Sequence, residues 1–206
     1  MAENQQGVEF DPRRLSIDMH RHLINDATKE NTGVMEYFDT FSGKRVLTIP
    51  RLSHDAVLHQ ELIDKRIPVY PRLALDDRNM LLDVPNDART IQSNLRFIAR
   101  DVLHYKEIFT QIGEVLGRCA VNRIGLPDQR IGRTMLSGIA FSYDEADSFG
   151  GNVHLLPPYT LNPELDKTAE FTLLRSELIA SEYISPAIAD ELVRATNEGW
   201  ESVRSS

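Results

Sequence analysis

Apolar residues recur along the chain with two different periods, and the changes of period mark its elements. After Asp11-Pro12, a pair that caps and opens helices, Leu15, Met19 and Leu23 follow at four-residue spacing, with Ile17 and Ile24 beside them. This predicts an amphipathic helix to about Asn25, after a polar stretch 1–9 expected to fray. Gly33–Phe38 and Lys44–Ile49 then alternate as the strands of a hairpin that Pro50 ends. Ser53 is placed to cap a helix carrying Val57, Leu58, Leu62 and Ile63 to about Lys65. Ile67–Leu75 is extended, because Pro68 and Pro71 exclude a helix. Asp76–Asn79 is a turn, and Met80–Val84 is the returning strand. Pro85-Asn86-Asp87 breaks that strand and marks the boundary between two lobes.

From Ala88 the period becomes helical. A first segment runs to about Phe97, and a longer one runs from about Arg100 to Val121 with Tyr105, Ile108, Phe109, Ile112, Val115, Leu116 and Cys119 on one face. Gly113 and Gly117 sit one turn apart and each costs a helix about 1 kcal/mol relative to alanine, so a close packing partner is expected. Ile124–Thr134 reads as a loop. Ile139–Tyr143 and Val153–Leu156 read as a second hairpin, with Gly150-Gly151-Asn152 as its turn and Pro157-Pro158 as its stop. Two terminal helices follow, one bearing Phe171, Leu174, Leu178 and Ile179, the other opening at Ser185-Pro186. Strands early and helices late define an α+β fold in two lobes. The expected division is an N-terminal helix and linker over 1–32, a strand-rich lobe over 33–86, and a helical lobe over 87–206 with a β-hairpin at 137–159.

Composition narrows the function classes. The chain has 206 residues, enough for one substantial core, and is 41% hydrophobic and 26% charged, as globular proteins are. Its net charge of −8 argues against nucleic acid or an anionic membrane as partner. Cys119 is the single cysteine, so no intrachain disulfide forms, and its helical setting reads as core. No apolar run approaches the ~20 residues of a membrane helix and the start lacks a signal-peptide pattern, so a cytoplasmic protein is expected.

Chemistry-bearing residues are dispersed. His20, His22, His54, His59, His104 and His154 show no metal-ligand spacing, and no zinc, phosphate-loop, dinucleotide or serine-hydrolase motif is present. Asp128 and the cluster Asp144, Glu145, Asp147 are carboxylates in turns, for which solvation is the ordinary role.

The order of elements resembles a short protein-kinase-like fold, closest to the lipopolysaccharide-kinase, aminoglycoside-phosphotransferase and atypical-kinase branches. GKRVLTIPRLS resembles the third small-lobe strand, and HDAVLHQELIDKRIPVYPRL the glutamate-bearing helix and fourth strand. RNMLLDVPNDARTIQSNL resembles the fifth strand and hinge, and YKEIFTQIGEVLGRCAVNRIGL the long helix before the catalytic loop. GIAFSY with GGNVHLLPPY resembles the hairpin between two metal-binding residues. The resemblance spans about 33–159 in order and pattern. It implies an interlobe cleft, around which it places Thr48, Arg51, Glu61 and Asp83 as ligand-binding candidates.

It also implies what is missing. Phosphoryl transfer in that family needs a third-strand lysine, a carboxylate near the acceptor hydroxyl, and an Asn and an Asp holding Mg²⁺. The lysine position falls at or near Thr48, the catalytic Asp position on Arg133, the metal-binding Asn on Gly138, and the metal-binding Asp on Pro157-Pro158. No catalytic residue and no metal ligand is therefore expected. Three readings follow. The first is a non-catalytic, pseudokinase-type binding or scaffold protein with an unidentified protein or small-molecule ligand and no cofactor. The second is a divergent phosphotransferase using ATP and Mg²⁺, with Arg51, Glu61 and Asp128 as its working groups. The third is an unrelated α+β interaction domain presenting Phe171, Tyr183 and Trp200.

Overall fold

Alternating side chains in the first half form a sheet whose register is fixed by its buried face. A computed structural model describes residues 15–16, 34–39, 45–51, 54–75, 78–125, 134–144, 147–157, 159–161 and 165–204. Strands β1 (Leu15–Ser16), β2 (Met35–Asp39), β3 (Arg45–Pro50), β4 (Arg72–Leu75) and β5 (Asn79–Val84) form an antiparallel sheet in the order β1-β2-β3-β5-β4. Helix α1 (His54–Asp64) connects β3 to β4 and buries Leu58, His59 and Leu62. Both expected strand pairs and the single helix between them are present. Leu15–Ser16, however, is a strand paired with Phe38 and Asp39, not part of a helix. A short amphipathic pattern is only a local preference, and an unpaired sheet edge offers the backbone a competing set of hydrogen bonds. The rest of that expected helix, with His20 and His22, lies outside the described residues, as do Asp76-Asp77 and Asp128.

The second half is built on α3. Strand β6 (Arg89–Thr90) leads into α2 (Ile91–Ile98), which Thr90 caps through the Ser93 N–H. Asp101 caps α3 (Val102–Val121) through the His104 N–H. Then come β7 (Ile124–Gly125), α4 (Met135–Gly138), β8 (Ile139–Asp144), β9 (Asp147–Leu155), β10 (Thr160–Leu161), α5 (Lys167–Ala180) and α6 (Pro186–Arg204). The three-stranded sheet has the order β6-β8-β9, and β7 pairs with β10. Gly150, Gly151 and Asn152 lie within β9, with Gly151 opposite Tyr143, so they do not form the turn. The reversal falls between Asp144 and Asp147, which face each other. Glycine permits a turn but does not require one, and the cross-strand ladder decides.

The hairpin is sandwiched. Ile139, Phe141, Val153 and Leu155 point down onto Ile108, Phe109, Ile112 and Leu116 of α3, while Ala140 and Leu156 point up into the small-lobe sheet. Of the terminal helices, α6 packs on α3, and α5 touches α4, which leads into β8. Trp200 is 3% exposed and meets Phe171 edge to face at 5.6 Å, so it fills the core and is not a surface contact. Cys119 is also core, and burial pushes its thiol up to about 12. No helix among the described residues is long and apolar enough to cross a membrane.

Helices α3 and α6 cross with their backbones in contact. A Cβ built on Gly113 would lie 1.8 Å from the Thr196 carbonyl oxygen, and one on Gly199 would lie 1.8 Å from the Thr110 carbonyl oxygen. At Gly117 the nearest atom is 3.2 Å away, at the Trp200 carbonyl oxygen. Gly113→Ala and Gly199→Ala are each expected to destabilise the protein by about 2–3 kcal/mol, the cost of forcing packed elements apart. Gly117→Ala should be near neutral, because alanine gains about 1 kcal/mol of helix propensity against a mild clash. Urea denaturation of the three variants checks the ranking.

Candidate functional site

The surface between the two lobes is where a ligand cleft is expected, and it is made of apolar side chains. Cross-strand pairing puts Glu36, Leu47 and Leu82 side by side, with Arg45 and Val84, and Ile49 and Met80, on the same face. That face joins Val34, Tyr70, Ala88, Ala140 and Leu156 in one cluster, none of whose members is more than 3% exposed. Two backbone hydrogen bonds fix the other side. The Leu155 N–H donates to the Pro68 carbonyl at 2.9 Å, and the Leu156 N–H to the Gly138 carbonyl at 2.9 Å. The first stitches the α1–β4 linker to the hairpin, where Val69 and Leu155 form a parallel bridge.

Two buried polar clusters interrupt this surface. Arg45 Nε lies 3.2 Å from Glu36 Oε1, with both side chains almost entirely out of solvent. Arg45 Nη1 donates to the Ala88 carbonyl at 3.0 Å, and its backbone N–H to Asn86 Oδ1 at 3.1 Å. Arg89 Nη1 donates to the same Ala88 carbonyl at 3.1 Å. One guanidinium thus ties β2, β3 and the hinge after β5 together. Removing one partner of such a pair costs about 3–5 kcal/mol, because the other charge stays buried. Nearby, burial raises the Tyr70 phenol above its ordinary range, and its ring stacks on His154 at 4.5 Å.

The second cluster joins α1 to the segment after the hairpin. His59 is fully buried, and its Nδ1 shares a hydrogen bond of 3.1 Å with the Tyr159 hydroxyl, 100 residues away in sequence. Its Nε2 makes no well-formed hydrogen bond among the described residues. Desolvation lowers the imidazole from 6.5 to about 4, opposed by the Tyr70 backbone carbonyl and reinforced by the Arg72 charge. Below the hairpin, the Glu177 carboxylate accepts the Met135 and Leu136 N–H groups, each at 3.1 Å, and so caps α4.

The four residues marked out by the sequence do not converge. Thr48 lies opposite Leu81 and Asp83 opposite Val46, so both sit on the sheet face turned away from the hairpin. The third-strand positions that meet the other lobe are Leu47 and Ile49, one residue to either side of Thr48. Arg51 is exposed just beyond β3. Glu61 pairs with Lys65 one turn along α1 at 2.6 Å, half in solvent, while His59 takes the inward direction. The sequence reading missed Glu36, Arg45, His59 and Tyr159. Glu36 and Arg45 could have been found as diagonal neighbours once the first hairpin is in register. The His59–Tyr159 pair leaves no local signal. Arg133 and Pro158 lie outside the described residues, as do the side chains of the acidic cluster at 144–147. Among the described residues no three His, Cys, Asp or Glu side chains gather to hold a metal.

A five-stranded antiparallel sheet crossed by one helix, a linker stitched to a hairpin, and a long helix beneath that hairpin make this a protein-kinase-like α+β fold. Among solved structures, one described as WaaP in complex with acyl carrier protein is similar, with a TM-score of 0.54 over 89% of this chain and 77% of that chain. The two are 7% identical, so the likeness is one of fold. No model of a known protein family matches the chain, and no curated protein sequence matches it.

The His59 setting predicts a pH dependence of stability. The folded protein binds this proton only near pH 4, whereas the free imidazole binds it at 6.5. Between those values the unfolded chain holds more protons, so stability is complete above about pH 6.5 and is lost as pH falls toward 4. The loss amounts to about 3 kcal/mol. Burial raises the Glu170 and Glu177 carboxyls, which act in the opposite sense. The clean readout is therefore a comparison of urea melts of wild type and His59→Phe across this window, in which the variant should be flatter.

Proposed function

We propose that the chain is a non-catalytic, kinase-like binding protein of pseudokinase type, acting through a protein partner and not through nucleotide turnover. The observation that carries this reading is the apolar seal between the lobes. Leu47, Ile49, Leu82, Ala140 and Leu156 lie where a triphosphate would need cations and a base would need open space, and all five are at 0% exposure. Gly138 and Pro157 stand where the resemblance expects metal ligands, and neither side chain offers an oxygen. At the hinge, Pro85 has no N–H to give, and the Ala88 carbonyl is already engaged by Arg45 and Arg89. ATP and Mg²⁺ therefore do not fit the residues present. A protein partner is in keeping with the solved WaaP structure, which contains an acyl carrier protein.

Two measurements test the proposal. Mg²⁺–ATP at 1 mM should leave the melting temperature unchanged, whereas a site with Kd near 10 μM would add about 2.7 kcal/mol of stability. A clear shift together with Mg²⁺-dependent ATP consumption would overturn the reading. Leu156→Ala should cost about 2–4 kcal/mol, as for a fully packed core leucine. In an open cleft the same truncation would cost much less.

A further inference from the structure

Outside the seam, α3 and the outer edge of β9 flank a cavity of about 450 Å³, bordered by Pro68, Glu107, Glu114, Arg118, Val153 and His154. Two features of its walls bear on what it would take. One wall carries more carboxylate than cation among the described residues. Glu107 and Glu114 lie two turns apart on the same side of α3, and neither forms an ion pair or hydrogen bond among the described residues. Among the described residues the one cation at the border is Arg118, whose Nη1 donates to the Arg66 carbonyl at 3.1 Å. The whole chain is acidic as well, at −8.

The other wall is a strand edge. Strand β9 is the outermost strand of its sheet. Leu155 turns its N–H outward to Pro68, and it lies opposite Ile139 as Val153 lies opposite Phe141 and Gly151 opposite Tyr143. Alternation along an antiparallel strand therefore directs the backbone groups of Val153 and Gly151 to the same outer edge. Among the described residues the linker pairs with this edge at Leu155, through the bridge to Val69. Beyond it, no strand among the described residues continues the pairing.

We propose that this groove binds an extended, basic segment of a partner protein, laid along the β9 edge with its Lys or Arg side chains over Glu107 and Glu114. Strand addition supplies the backbone pairing, and the acidic helix face supplies the selection. The dimensions agree. Seven residues of helix separate the two carboxylates by about 10 Å, and alternate side chains on a strand repeat at about 7 Å. Long basic side chains two positions apart span the difference. The proposal names a partner surface beside the seam, on the outer side of Pro68 and His154, and it stands whether or not the seam admits nucleotide.

The test is to pan a displayed library of random dodecapeptides against the full chain, with the Glu107→Lys/Glu114→Lys double variant as counter-target. Enriched peptides should be basic and should bind wild type at least tenfold more tightly than the variant. N-methylation of alternate peptide amides should weaken them by a similar factor, and the Gly151 and Val153 amide resonances should shift on binding. An unchanged thermal melt of the double variant establishes that it folds. Failure to enrich, enrichment without basic bias, equal affinity for both proteins, or amide shifts confined to other elements would each overturn the proposal.

Discussion

The rest of the structure depends on how the two lobes close on each other. The seam is an apolar surface interrupted by two buried polar clusters, and each fully buried Leu or Ile within it contributes about 1.5–3 kcal/mol relative to exposure. Closure is directional as well as favourable. The Leu155–Pro68 hydrogen bond fixes the α1–β4 linker on the hairpin, and Arg45 fixes the sheet to the hinge through the Ala88 carbonyl. A nucleotide-binding cleft needs the opposite balance, with polar walls that stay hydrated until the ligand arrives. Here Leu47, Ile49, Leu82, Ala140 and Leu156 between the lobes are interior.

The seam rests in turn on α3. That helix supports the hairpin with Ile108, Phe109, Ile112 and Leu116, and it receives α6 across bare backbone at Gly113 and Gly199. Such close approach leaves little room for adjustment, so the hairpin is held from below as firmly as the sheet holds it from above. The His59–Tyr159 hydrogen bond then joins α1 to the chain just after the hairpin. Desolvation keeps this contact neutral. It links elements but presents no charge to a ligand.

The fold was legible to a large extent. The first hairpin, α1, the strands on either side of Asp76–Asn79, the long α3 and both terminal helices follow from apolar spacing and proline positions, as does the expectation that Gly113 and Gly117 face a close neighbour. The short β6, β7, β10 and α4 were not legible, β6 falling where a helix was expected and β7 where a loop was, and two larger features were misread. Leu15–Ser16 carries a helical pattern but pairs as a strand, because an available sheet edge outweighs a marginal helix. Gly150-Gly151 looks like a turn but runs within β9, because cross-strand pairing continues through it. Of the candidate site, the third-strand assignment missed the lobe-facing positions by one residue. A slip of one reverses the face of a strand, which is why Thr48 and Asp83 point away from the hairpin while Leu47 and Ile49 meet it.

The sequence by itself determined the order of elements, the α+β class, and the residue types available at the positions where a kinase-like fold would put its chemistry. Those are local properties, set by spacing, propensity and identity. Only the tertiary structure decided that the lobes seal, that Glu36 and Arg45 are buried together, that His59 finds Tyr159, and that an acidic helix face lies beside the outer edge of β9. Each of these joins residues on separate strands and helices, and burial and desolvation act between side chains only once the fold has brought them together.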